Sequence, residues 1–208
     1  MDIIQSLNNL KTPTLLLIGY PNVGKSTLMN NLTLANIEVE KFATKFLFVG
    51  QINFKGKTLR VIDTQSILDH QLDEIEIQSI NTLTQLNSCI LFLIDISENC
   101  GHTIKQQTDL LFSIKKLFLN KPLLVILNKI DLKTPNDVPI DDWILIESLE
   151  DFEEDSNGDF SDSGTQLIPM SNLIENSIEN LKEIVFSTFK ERKKENLCDE
   201  IKDKLLIF

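Results

Sequence analysis

The chain has 208 residues, 42% of them hydrophobic, and a formal net charge of -11. That length and apolar content suit one globular domain with a sizeable core and exclude a disordered chain, while the acidic balance argues against a broad basic face for DNA or RNA. No apolar run approaches the ~20 residues of a membrane span, residues 1–9 lack the pattern of a signal peptide, and Cys89, Cys100 and Cys198 are too scattered for a disulfide framework or a zinc site, which leaves reduced thiols of an intracellular protein.

Strand and helix signals alternate along the chain. Residues 14–18 are a short apolar run ended by Gly19, the pattern of a buried strand, and residues 25–34 carry Leu28 and Leu32 at helical spacing. Runs 47–54 and 57–62 are apolar and β-rich, joined by Lys55-Gly56 as in a hairpin. Residues 72–86 place apolar side chains at 72, 75, 80, 83 and 86, as an amphipathic helix does. The continuous apolar run 89–94 is a buried strand. A helix is expected over 103–119, a strand over 122–127, a helix over 143–152, a strand over 166–170 and a long helix from Ile174 onward. This order predicts an α/β fold with helices on both faces of a mostly parallel six-stranded sheet and one antiparallel edge strand. The expected division is a lead-in over 1–13, one domain over 14–186 with a Ser-, Gly- and Asp-rich acidic loop about 153–164, and a helical tail over 187–208.

Gly19-Tyr20-Pro21-Asn22-Val23-Gly24-Lys25-Ser26 fits the phosphate-loop pattern G-x-x-x-x-G-K-[ST] and sits between a strand and a helix, as that motif requires. Gly19 and Gly24 permit backbone angles and close approaches that a Cβ would block. The N–H groups of the loop, through Pro21, Asn22, Val23 and on to Thr27, are expected to face the phosphates at a helix N-terminus. Lys25 places a cation on the β- and γ-phosphates, and the Ser26 hydroxyl suits Mg²⁺.

Asp63 ends an apolar strand after the phosphate loop, where a carboxylate can reach Mg²⁺, usually through water. Thr44, in the loop over 35–45, is the candidate threonine of a first switch that completes the Mg²⁺ shell. Asn128-Lys129-Ile130-Asp131 follows the 122–127 strand and is an N-K-x-D box. The Asp131 carboxylate can accept from both N1–H and the 2-amino group of guanine, donors that adenine lacks. Asn128 is expected to tie the loop together, and the Lys129 stem to lie along the base. Ser171-Asn172 occupies the place of a final base-contacting loop. The cofactors expected are GTP or GDP with Mg²⁺, and an ATP-using P-loop enzyme is disfavoured by Asn128, Lys129 and Asp131.

Further stretches carry a family resemblance: Phe42-Ala-Thr-Lys45, Leu47-Phe-Val-Gly50, Ile67-Leu-Asp-His70, Leu93-Ile-Asp-Ile-Ser97, Cys100-Gly-His102 and Asn120-Lys-Pro-Leu123. With the phosphate loop they make residues 14–175 resemble the GTPase domain of the nucleolar GTP-binding protein family, in the Obg-like branch of translation-factor-class P-loop GTPases. The resemblance implies slow GTP hydrolysis, a nucleolar location, and a partnership with pre-60S particles, their rRNA and ribosomal proteins, in large-subunit assembly; a monomer is expected. It also implies a helical segment before the domain and a basic extension after it. The 208 residues contain neither, as in an excised or reduced form.

The sequence departs from the family around the switches. Where the family has Asp-Thr-Pro-Gly, this chain has Asp63-Thr64-Gln65-Ser66. Ser66 retains the N–H expected to meet the γ-phosphate but restricts the backbone. Ala43 replaces the first of two paired threonines, and Thr44 remains. Gln65 is out of register for a water-orienting glutamine, whose place is held by Ile67, so hydrolysis would draw on another group such as a potassium ion, a partner residue or rRNA. Two readings stay open: a cycling GTPase switch, and a nucleotide-holding structural module with little or no hydrolysis. His70 and His102 are expected to be structural, and Lys190-Glu-Arg-Lys-Lys194 to be a solvated basic helix face.

Overall fold

The structure is a computed structural model and describes residues 12–33, 37–42, 45–64, 83, 86–118, 121–150 and 165–205. In chain order the elements are β1 (Thr14–Ile18), α1 (Lys25–Thr33), β2 (Ile37–Phe42), β3 (Lys45–Phe54), β4 (Lys57–Asp63), β5 (Ser88–Asp95), α2 (Ile104–Lys115), β6 (Leu123–Asn128), α3 (Ile140–Glu147), β7 (Gln166–Pro169) and α4 (Glu175–Leu205). Thr44, Ser66, Ala43, Gln65, Ile67, His70, the acidic loop 153–164 and, apart from Leu83 and Leu86, the helix expected over 72–86 lie outside the described residues.

The strands form one seven-stranded sheet in the order β2-β3-β4-β1-β5-β6-β7. Strands β4, β1, β5, β6 and β7 pair in parallel, and β3 runs against both β2 and β4. The six expected strands are all present, and β2 is a seventh. The antiparallel strand is therefore interior, and the reading of 35–45 as a loop gives way over 37–42. Ile37, Val39 and Phe42 interleaved with charged residues already carry a strand-like pattern; pairing with β3 supplies the backbone partners that a polar segment needs. Lys55 and Gly56 join β3 to β4 with φ of 49° and 74°, as a tight hairpin turn of the primed kind requires.

Side chains alternate across the sheet with period two. On one face Leu16, Ile62, Ile90, Phe92 and Val125 pack against Ile104, Leu111 and Ile114 of α2 and Ile146 of α3. On the other, Leu15, Leu17, Val61, Leu91 and Ile126 pack against Leu28 and Met29 of α1 and Ile178, Leu181 and Val185 of α4. Helix α3 begins three residues ahead of its expected start. Pro139 fixes φ at -53° before the first turn, and Asp141 and Asp142 face the helix dipole there. Helix α4 runs unbroken through residue 187, and Arg192, expected on a solvated face, donates to the Ser88 carbonyl at 3.1 Å.

Cys89 and Cys100 are buried and unbridged, and burial pushes the Cys89 thiol from its ordinary 9.0 up to about 12. The unfolded chain therefore releases this proton at a lower pH than the folded one, so the thiol's contribution to stability is full below pH 9.0 and is lost as pH rises toward about 12. Denaturant unfolding at about pH 8 and about pH 10.5 is expected to show a loss of stability that is smaller, by about 2 kcal/mol, in Cys89→Ala than in the wild type.

Candidate functional site

The carboxyl ends of β1, β4, β5 and β6 bring Gly19, Asp63, Asp95 and Asn128 to one edge of the sheet. Strand β1 is the switch point of the strand order, with β4 on one side and β5 on the other, and ligand crevices of open α/β sheets form at such points.

The loop after β1 is shaped by two glycines. Gly19 has φ 144°, and a Cβ there would stand 2.6 Å from the Leu93 carbonyl oxygen. Gly24 has φ 106°, and a Cβ there would stand 2.3 Å from Asn128 Nδ2 and 2.7 Å from Asn172 Nδ2. Between them Pro21 is half-buried, Asn22 is exposed with φ 61°, and Val23 is fully buried. Lys25 opens α1, and its Nζ crosses the loop to donate to the carbonyls of Gly19 and Tyr20, both at 2.7 Å. Thr27 is exposed on the first turn of α1. A helix N-terminus, a glycine-bounded loop and a buried ammonium have the make-up of an anion cradle.

At the mouth of this cradle the exposed Ser26 donates its hydroxyl to Asp63 Oδ2 at 2.8 Å. Asp63 is buried, and its other oxygen, Oδ1, has no hydrogen-bond partner. Burial pushes the Asp63 carboxyl up, against the Ser26 bond and the Lys25 charge, which pull it down. A buried carboxylate with one open oxygen beside a hydroxyl fits a hard divalent cation. Among the described residues no three His, Cys, Asp or Glu side chains cluster as a metal cage, so such an ion would complete its shell from water and phosphate, as Mg²⁺ does.

The elements expected at the base meet the cradle from the other side. Asn128 donates from Nδ2 to the Val23 carbonyl at 2.8 Å, and Asn172 from Nδ2 to the Gly24 carbonyl at 3.0 Å. Asn31 of α1 donates to the Asn172 carbonyl at 2.7 Å. Asn172, expected at the base, is thus turned onto the phosphate loop. Asp131 is exposed, and one of its oxygens accepts the hydroxyl of the buried Ser171. Lys129 has φ 65°, and its Nζ ion-pairs with Asp95 Oδ2 at 2.6 Å. The structure therefore brings together Gly19, Pro21, Asn22, Val23, Gly24, Lys25, Ser26, Thr27, Asp63, Asn128, Lys129, Asp131, Ser171 and Asn172. Thr44 and Ser66 lie outside the described residues.

Sequence reasoning missed Asp95 and Gln107 as members of the site. Asp95 is an acid ending a buried apolar strand, the signal that singled out Asp63. Gln107 is a polar residue on the inward stripe of α2 between Ile104 and Leu111. His102 stacks on Tyr20 with ring centroids 3.8 Å apart and planes at 16°.

Known proteins resemble the chain in sequence and in fold. The family model described as Nucleolar GTP-binding protein 1 matches residues 74–131. The Dictyostelium discoideum protein named probable nucleolar GTP-binding protein 1 is 60% identical over 192 residues, covering 89% of this chain and 28% of its own length. The chain thus spans little more than a quarter of that relative. A solved structure provisionally described as nucleolar GTP-binding protein 1 of Plasmodium falciparum superposes with TM-score 0.80 at 32% identity, covering 93% of this chain and 94% of that one. The G domain of the T. maritima FeoB iron transporter shares the fold, with TM-score 0.58 at 21% identity over 85% of this chain and 98% of that one.

Gly24→Ala tests the junction of the two half-sites. Its Cβ would displace the Asn128 and Asn172 amides and break both bonds to the loop. The expected result is a loss of GDP affinity of about 100-fold or more, measured by titration calorimetry, with the chain still folded by circular dichroism.

Proposed function

The chain belongs to the nucleolar GTP-binding protein 1 family, and from that premise we propose that it binds GTP and GDP with Mg²⁺, hydrolyses GTP slowly and serves as a nucleolar switch in assembly of the large ribosomal subunit. The pre-60S particle, with its rRNA and ribosomal proteins, is the partner this reading implies. The observation that carries the nucleotide part is the interlock of phosphate loop and base box across Gly24.

In this reading Gly19 to Thr27 cradle the phosphates, and Lys25 leaves its loop carbonyls to offset the charge of the β- and γ-phosphates. Asp131, steadied by Ser171, reads the guanine edge, and Lys129 lies along the base. Ser26 and Asp63 would hold Mg²⁺, with Thr44 joining from the first switch and the Ser66 N–H meeting the γ-phosphate. When bound, the ion neutralises charge on the phosphate oxygens. Water attacks the γ-phosphorus, the bond to the bridging oxygen breaks, GDP departs with the electron pair, and the proton of the water passes to phosphate or solvent. The chain contributes positioning and electrostatics. No described side chain is assigned to orient the water; a potassium ion is the candidate cation for raising the rate, checked by turnover in K⁺ against Na⁺.

The sequence Asp63-Thr64-Gln65-Ser66 favours a second reading, a structural module that holds GDP without cycling. Thr64 is fixed beside β1, where its N–H and hydroxyl both donate to the Leu17 carbonyl at 3.3 and 2.7 Å. In this reading, motion coupled to the γ-phosphate begins beyond Thr64.

Calorimetric titration with GDP, a non-hydrolysable GTP analogue and ATP, each with Mg²⁺, separates the readings. Comparable affinity for GDP and the analogue with no ATP binding is the expected outcome. A much weaker analogue would favour the structural module, and no binding of either guanine nucleotide would overturn both. Asp63→Asn is expected to remove most of the gain in analogue affinity that Mg²⁺ gives the wild type.

A further inference from the structure

Helix α2 begins with a reciprocal capping box. Thr103 N–H donates to Gln106 Oε1 at 2.9 Å, and Gln106 N–H donates to Thr103 Oγ1 at 3.2 Å. Ile104 N–H adds a bond to Glu98 Oε1 at 2.9 Å. This start fixes the rotation of the helix, leaving Gln106 exposed and turning Gln107, fully buried, toward the end of β5.

The Gln107 amide uses three of its bonding positions there. Oε1 accepts the Asp95 N–H at 2.7 Å, while Nε2 donates to the Asp95 carbonyl at 3.1 Å and to the His102 carbonyl at 3.0 Å. The side chain holds both backbone groups of Asp95, as a neighbouring strand would. Asp95 in turn presents its carboxylate to Lys129 at 2.6 Å. The third bond secures His102, whose ring stacks on Tyr20, and the Tyr20 carbonyl accepts Lys25 Nζ at 2.7 Å.

We infer that Gln107 is a positioning residue for guanine-nucleotide binding, acting through Asp95 on Lys129. The inference rests on the reading of the chain as a GTP- and GDP-binding domain. The Lys129 ammonium is anchored on Asp95, whose carboxylate is held by Ser97 and Cys100 and whose backbone is held by the Gln107 amide at the end of β5.

The test is a double-mutant cycle on the 208-residue chain, read as the Kd for GDP with Mg²⁺. Gln107→Met keeps the volume and removes all three bonds. It is expected to weaken GDP about tenfold, the change in Kd that one lost buried hydrogen bond corresponds to. In a Lys129→Met background the same substitution is expected to cost less than about threefold, because the residue it acts through is gone. A merely structural role would weaken GDP equally in both backgrounds, and that result would overturn the inference. So would an unchanged Kd in Gln107→Met. If Gln107→Met does not fold, Gln107→Ala, which removes the same three bonds and leaves room for water to meet the Asp95 backbone, takes its place in the cycle with the same criteria. A wild-type chain that fails to bind GDP overturns the nucleotide reading and the inference with it; a wild-type chain that binds while the losses multiply overturns the inference alone.

Discussion

The side-chain amides of Asn128 and Asn172 lie against Gly24, where any Cβ would collide with both. They donate to two consecutive carbonyls of the phosphate loop, those of Val23 and Gly24, from positions 105 and 148 residues farther along the chain. In a trans peptide the C=O and N–H point opposite ways. Holding these two carbonyls on one side therefore fixes the N–H groups of Gly24 and Lys25 on the other. Each bond contributes about 1 kcal/mol net, yet together they set the direction of the donors that make the loop an anion cradle. The rest of the site is arranged around this junction: Lys25 and Ser26 lead from it into α1, Asp131 follows Asn128 in the same loop, and Ser171 directly precedes Asn172 and donates to Asp131.

Two aspartates end neighbouring strands of β1 and are buried to the same degree, but their carboxylates are satisfied very differently. Asp95 accepts four bonds, from the Ser97 N–H at 3.0 Å, the Ser97 hydroxyl at 2.6 Å, the Cys100 N–H at 2.8 Å and Lys129 Nζ at 2.6 Å. Asp63 accepts the Ser26 hydroxyl and leaves Oδ1 open. A buried carboxylate needs its lone pairs filled to offset the loss of water. The saturated one is a fixed anchor for a side chain, whereas the open one retains the capacity to bind a cation. The same residue type at the ends of the two strands that flank β1 is thus saturated in one case and open in the other.

The site also divides between rigid and exposed parts. Asp131 is exposed, and its orientation depends on Ser171, a fully buried hydroxyl that donates to Asp131 and accepts the Leu173 N–H at 3.1 Å. A carboxylate meant to meet a ligand must remain open to it, so the ordering falls to a neighbour that does not. Gln107 behind Asp95 repeats the arrangement one layer deeper. In both places a buried neutral group fixes a charged one, which limits the entropy that binding has to remove.

Much of this was written in the chain itself. The residues 14–18, Gly19 to Ser26, Asp63, Asn128 and Asp131 are legible because a buried strand, a glycine-dependent turn and a polar box directly after a strand each admit few residue types, and because they recur at fixed local spacing. The alternation of apolar runs gave the α/β order for the same reason. Tertiary structure decided that β2 extends the sheet: Ile37 and Val39 suit a strand, but the charged residues among them form one only when a partner offers hydrogen bonds. It alone decided that Asn172 turns to the phosphate loop, that Asp95 is saturated while Asp63 is open, and that Gln107 reaches Asp95. Those outcomes depend on which distant backbone groups come within hydrogen-bonding reach, and local sequence spacing does not encode that distance.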